Sequence, residues 1–85
     1  MKPLQVALVA RAAIETITGR EPEVVSRCER QDLNWRVMVE VIETKAKLND
    51  NDLLASYQID IDPDGEIIGY DRVRRYKRVH GTLTA

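Results

Sequence analysis

The spacing of apolar residues changes once along this chain, at Gly19–Pro22, and that change restricts what the chain can fold into. Before it, Val6, Ala10, Ala13, Ile14 and Ile17 share one face of a wheel that turns by about 100° per residue. Residues 3–18 are therefore predicted to form a helix with one covered side. Pro3 suits a first-turn position, where its missing N–H would have no partner in any case. Gly19 suits the position just past the helix end, and Pro22 prevents continuation. After Pro22 the side chains alternate with a period of two, the repeat of strands that cover one face. A one-sided helix and one-sided strands satisfy each other, so the expected class is α+β. Leu4 and Leu8 fall on the other side of the helix, beside Arg11 and Glu15, and read as surface leucines, with a docking stripe for a partner as the alternative.

Four strands follow. Val24, Ser26 and Cys28 alternate with Val25, Arg27 and Glu29 in a weak strand near 23–30, placed at an edge. Gln31 to Asn34 is a polar turn. Trp35, Val37, Val39 and Val41 then alternate with Arg36, Met38, Glu40 and Ile42, the clearest strand pattern in the chain, over 34–44. Lys45 to Asp52 is polar and reads as a loop. Leu53, Ala55, Tyr57, Ile59 and Ile61 mark a strand over 53–62, with Ser56, Gln58 and Asp60 expected to face out. Asp62-Pro63-Asp64-Gly65 is a turn, because proline presets φ and glycine accepts a positive one. The last strand covers 66–76, and its phase is broken: Ile68 and Tyr70 agree while Val73 does not, which calls for a bulge near Asp71.

These elements predict one N-terminal helix packed on a four-stranded antiparallel meander sheet. Trp35, Val37, Val39, Tyr57, Ile59, Ile14 and Ile17 are expected in the core. Residues 1–85 read as a single domain, with an ordered core over 3–78 and a frayed tail over 79–85.

Composition narrows the function. The chain is 44% hydrophobic and 32% charged with a net charge of −1, an ordinary balance for a soluble domain. No apolar run reaches the roughly 18 residues of a membrane span. Arg11 and Glu15 interrupt the first apolar stretch and no cleavage site follows, so the N-terminus does not read as a signal peptide and the protein reads as cytoplasmic. The lone Cys28 cannot form an internal disulfide and reads as a small half-buried hydrophobe. The one histidine, His80, falls in the tail, and no phosphate loop, nucleophile elbow or metal-spaced cluster occurs. No catalytic residue, cofactor or metal is expected. Asp60, Asp62, Asp64, Gly65, Ile67 and Asp71 do follow the spacing of a calcium loop. Their flanks alternate as strands where that loop needs helices, so a turn with solvated carboxylates is the expected reading.

Charge is sharply polarised in the C-terminal half. No Lys or Arg lies between Leu48 and Asp71, whereas Arg72, Arg74, Arg75, Lys77 and Arg78 follow at once. Such a run can neutralise phosphates, with Tyr70 and Tyr76 stacking on bases, which makes a small nucleic-acid-binding regulator the alternative reading. A sequence pI near 5.8 argues against it, and the cations are expected to pair with the acidic block that precedes them. Arg and Tyr are also the residue types enriched in interface hot spots. Tyr70, Arg72, Arg74, Arg75 and Tyr76 are accordingly the candidate partner-binding residues, on an exposed face of the last strand.

Several of these segments together resemble the gas vesicle protein O (GvpO) family: Thr18-Gly19-Arg20-Glu21-Pro22 after an alanine-rich helix, Trp35-Arg36-Val37, Leu54-Ala55-Ser56-Tyr57, and Gly69-Tyr70 followed by Arg72-Val73-Arg74-Arg75-Tyr76. The last of these is the specific part, and the resemblance runs from about Ala7 to Arg78. It leaves out the variable, charged N-terminal extension that family members often carry. It implies a non-enzymatic accessory protein of gas vesicle formation. Its partners would be the shell protein and minor vesicle proteins, and its place the cytoplasm or the vesicle itself. The helix-then-strands order with its D-x-x-G hairpin is also similar to PepSY-type inhibitory modules, a likeness of fold alone.

Overall fold

A computed structural model describes residues 2–44 and 52–77. Helix α1 (Pro3–Thr18) is followed by strands β1 (Pro22–Gln31), β2 (Asn34–Thr44), β3 (Leu53–Ile61) and β4 (Ile67–Lys77). The strands form one antiparallel sheet in the order β1-β2-β3-β4, the expected meander. Residues 45–51 of the expected loop and the tail beyond 77 lie outside the described residues.

Helix α1 begins at Pro3 and ends as its last residues predict. Gly19 adopts φ 70° and its N–H donates to the Glu15 carbonyl at 2.9 Å, closing the final turn. Val6, Ala10 and Ile14 descend from the helix onto Trp35, Val37, Val39 and Val41 of β2 and Ile59 and Ile61 of β3, all buried. Cys28 is half-buried at the edge of this core, where its Sγ lies 3.8 Å from the Pro3 carbonyl oxygen. Burial pushes its thiol pKa up. The helix packs on β1, β2 and β3 and has no comparable packing on β4. Tyr57 and Ile17, expected in the core, are only half-buried, and Tyr57 sits where that cover runs out. Leu4 and Leu8 are 73% and 59% exposed, as surface leucines.

The two strand-to-strand connections that the structure describes are tight. Between β1 and β2 a two-residue loop places Asp32 at φ 56°, a conformation that Asp tolerates better than most residues. Between β3 and β4 the Gly65 N–H donates to the Asp62 carbonyl at 3.0 Å and Gly65 takes φ 88°. The Asp62 carboxylate accepts from the backbone N–H groups of Asp64 and Glu66, each at 2.9 Å. The carboxylate at the centre of the calcium-like spacing is therefore occupied by the turn it stabilises.

Both outer strands are irregular. In β1 the pairing with β2 skips Glu23 and Ser26, which brings Val25 and Cys28 to the same covered face and replaces the uniform alternation expected there. In β4 the pairing with β3 skips Ile68 and Val73. The expected phase break is real and falls at Val73, two residues beyond Asp71.

Replacing Ile14 with alanine should cost about 2–4 kcal/mol in urea unfolding, through lost burial and the cavity left behind. Leu8→Ala should stay within about 0.5 kcal/mol, because the side chain is largely exposed.

Candidate interaction surfaces on the last strand

Residues directly opposite each other in adjacent strands point to the same face of a sheet. Tyr70 lies opposite Ile59, Arg72 opposite Tyr57 and Arg75 opposite Ala55, all on the helix side. Arg74 lies opposite Ser56 and Tyr76 opposite Leu54, on the side that the helix leaves open. The bulge at Val73 causes this division. In a regular strand Arg72 and Arg74 would share a face, as expected; the extra residue turns the second half of β4 over. The candidate residues thus form two groups with different surroundings.

The group on the open side is built into the sheet. Glu40 of β2 is only 5% exposed. Its Oε2 accepts from Ser26 of β1 at 2.6 Å, and its Oε1 accepts from Ser56 of β3 and, at 2.8 Å, from Tyr76 of β4. Arg74 donates through Nε to the Ser56 hydroxyl at 3.0 Å, with its guanidinium carbon 4.7 Å from the centre of the Tyr76 ring. Ser56, expected to face solvent, is fully buried, because Arg74 and Tyr76 close over it. Burial, then the hydrogen bond to Glu40 and its charge, pushes the Tyr76 phenol from 10.0 to about 12, with the Arg74 charge pulling the other way. Hydroxyl donors and a carboxylate acceptor satisfy each other here, so the cluster clamps four strands together.

The group on the helix side is exposed. Arg72 Nη1 meets Glu43 Oε2 at 3.1 Å and Arg75 Nε meets Glu43 Oε1 at 2.9 Å. The carboxylate between the two guanidiniums has a side chain only 13% exposed. Tyr70 beside them is 56% exposed. Arg72 and Arg75 therefore pair with Glu43, whereas in the acidic block that was expected to take them Asp60 accepts from Arg36 at 3.1 Å and Asp62 holds its turn. Arg78 lies outside the described residues.

Sequence reasoning missed Ser26, Glu40, Glu43 and Ser56. The available signal was Glu40 and Glu43 within the otherwise apolar run Val37-Met38-Val39-Glu40-Val41-Ile42-Glu43. An acid in such a strand needs a partner on the neighbouring strands.

A helix laid across three strands of a small meander, with an arginine-rich edge strand, defines a compact α+β module that offers surfaces and, among the described residues, no metal-spaced cluster of His, Cys, Asp or Glu. The chain belongs to the GvpO family: the family model described as gas vesicle synthesis protein GvpO matches residues 1–82. It is 43% identical over 76 residues to gas vesicle protein O of Streptomyces sp. (strain CB03234), covering 89% of this chain and 59% of that protein. It is 33% identical to gas vesicle protein O1 of Halobacterium salinarum, covering 81% of this chain and 58% of that protein. With gas vesicle protein O of Haloferax mediterranei it shares 31% identity, over 81% of this chain and 50% of that protein. The chain thus spans between half and three-fifths of the length of these relatives. No solved structure matches it. Among the described residues no helix is long and apolar enough to cross a membrane.

Glu40→Ala should cost about 3 kcal/mol, since it strands three hydroxyls that now donate to a charge. Tyr76 supplies a pH test. Its proton is held more tightly in the folded protein, so its contribution is complete below pH 10 and is lost as pH rises toward 12. Denaturant unfolding of Tyr76→Phe should show a shallower fall in stability across that window than the unaltered protein.

Proposed function

We propose that this protein is a non-enzymatic accessory factor of gas vesicle formation that works by binding other vesicle proteins through the helix-side surface of β4. The observation that carries the reading is the family match across residues 1–82. The geometry supports the choice of surface. Tyr70, Arg72 and Arg75 stand on the part of the sheet that α1 does not cover. Glu43 orients both guanidiniums in advance, which lowers the conformational entropy lost when a partner docks. Each arginine spends one N–H donor group on Glu43 and keeps the others of its fork free. Arg74 and Tyr76 are assigned instead to holding the sheet together.

Deleting the gene from a vesicle-forming cell should abolish or reduce vesicles, and normal vesicles would overturn the reading. For the surface, Tyr70→Ala combined with Arg72→Ala should abolish co-purification with other vesicle proteins and shift melting by only a few degrees. Arg75 remains on Glu43 in this variant, so no buried carboxylate loses its last partner. Salt-sensitive binding of a random DNA duplex by the unaltered protein, lost in the same variant, would point to nucleic acid instead.

A further inference from the structure

The face of the sheet opposite α1 carries a charge pattern that complements itself. One row across the four strands reads Glu29, Arg36, Asp60, Gly69, and the next reads Arg27, Met38, Gln58, Asp71. In the second row a cation stands on one outer strand and an anion on the other. Both are exposed, and neither has an ion-pair partner among the described residues. Beside Arg27 lies a shallow depression of about 520 Å3, with Met38, Gln58 and Arg74 also in its lining.

We propose that this open face binds a second copy of the chain, sheet against sheet, across a two-fold axis running close to the strand direction between β2 and β3. The inference stands apart from the vesicle reading and uses the other side of β4. Such a rotation lays β1 of one copy over β4 of the other, and β2 over β3. Arg27 then meets Asp71 of the second copy, and Asp71 meets its Arg27. Met38 packs on Gln58, and Arg36 faces Asp60, so that each anion gains a second cation. Glu29 falls over Gly69, the one position in its row without a side chain. Nothing in this chain requires glycine there: φ is not positive, and a Cβ would meet no atom within 4 Å. The room left at Gly69 accommodates the facing glutamate. Aligned sheets pack with strands within about 30° of each other, which keeps these rows in register near the axis. Every contact occurs twice, as a two-fold interface requires.

Four strands at about 4.8 Å spacing make a small interface, so the dimer should be weak, with a micromolar dissociation constant. Sedimentation velocity of the full chain from about 1 to 200 µM should show a monomer–dimer equilibrium in that range. Arg27→Glu and Asp71→Arg each place like charges opposite one another at both symmetric contacts and should weaken the dimer by roughly tenfold or more. The double reversal, Arg27→Glu with Asp71→Arg, should restore it. Should either reversal unfold the chain by circular dichroism, Arg27→Gln and Asp71→Asn remove the charge without reversing it and should each weaken the dimer by about threefold. A monomer throughout the range, a dimer indifferent to these changes, or a failed rescue by a folded double variant would each overturn the proposal.

Discussion

The buried carboxylate of Glu40 holds together the half of this molecule that the helix does not reach. Hydrophobic burial accounts for the other half, where Val6, Ala10 and Ile14 seal the centre of the sheet. On the open face no second layer supplies apolar cover among the described residues, yet Glu40 and Ser56 are withdrawn from water. A carboxylate so placed is tolerable only when its acceptor sites are filled. Ser26, Ser56 and Tyr76 fill them from three different strands, so the cluster fails unless every strand lies in its own register. Satisfying one charge thus specifies the alignment of the whole sheet.

The division of β4 follows from the same demand. Tyr76 must point to the open face to reach Glu40, whereas Tyr70 points to the helix side. Tyr76 lies six positions beyond Tyr70, an even offset that in a regular strand would put both rings on one face. The extra residue at Val73 resolves the conflict. What looks like one basic patch along the chain therefore becomes two arrangements in space. Arg74 is absorbed into the clamp, while Arg72 and Arg75 are gathered by Glu43 and left half in solvent.

The helix bounds, the strand order and most of the core were legible in the sequence because each rests on local periodicity or on a residue with special backbone geometry. Pro3, Gly19 and Gly65 mark their positions whatever the rest of the chain does. The unreadable parts depend on pairs distant in sequence. Ser56 looks like any outward-facing serine until Arg74 and Tyr76 close over it. The partner of Arg72 and Arg75 is a glutamate on a strand that touches β4 only across β3. The broken phase of the last strand announced a bulge, but its position, and so the division of the candidate surface, depended on the pairing with β3. Membership of the GvpO family was legible for a different reason, since a resemblance rests on residue identity whatever the geometry, and the family model matches residues 1–82.

The irregular outer strands carry a consequence for how this protein can multiply its contacts. A sheet can be extended by hydrogen bonding a further strand to its rim, a mode of growth with no natural end. Here each rim strand is kinked twice, at Glu23 and Ser26 on one side and at Ile68 and Val73 on the other, and the β4 rim also bears Arg72, Arg74, Arg75 and Lys77. A straight newcomer finds its hydrogen-bond ladder interrupted every few residues. Both rims are thereby poor templates for a further strand, and the sheet ends where its own four strands end.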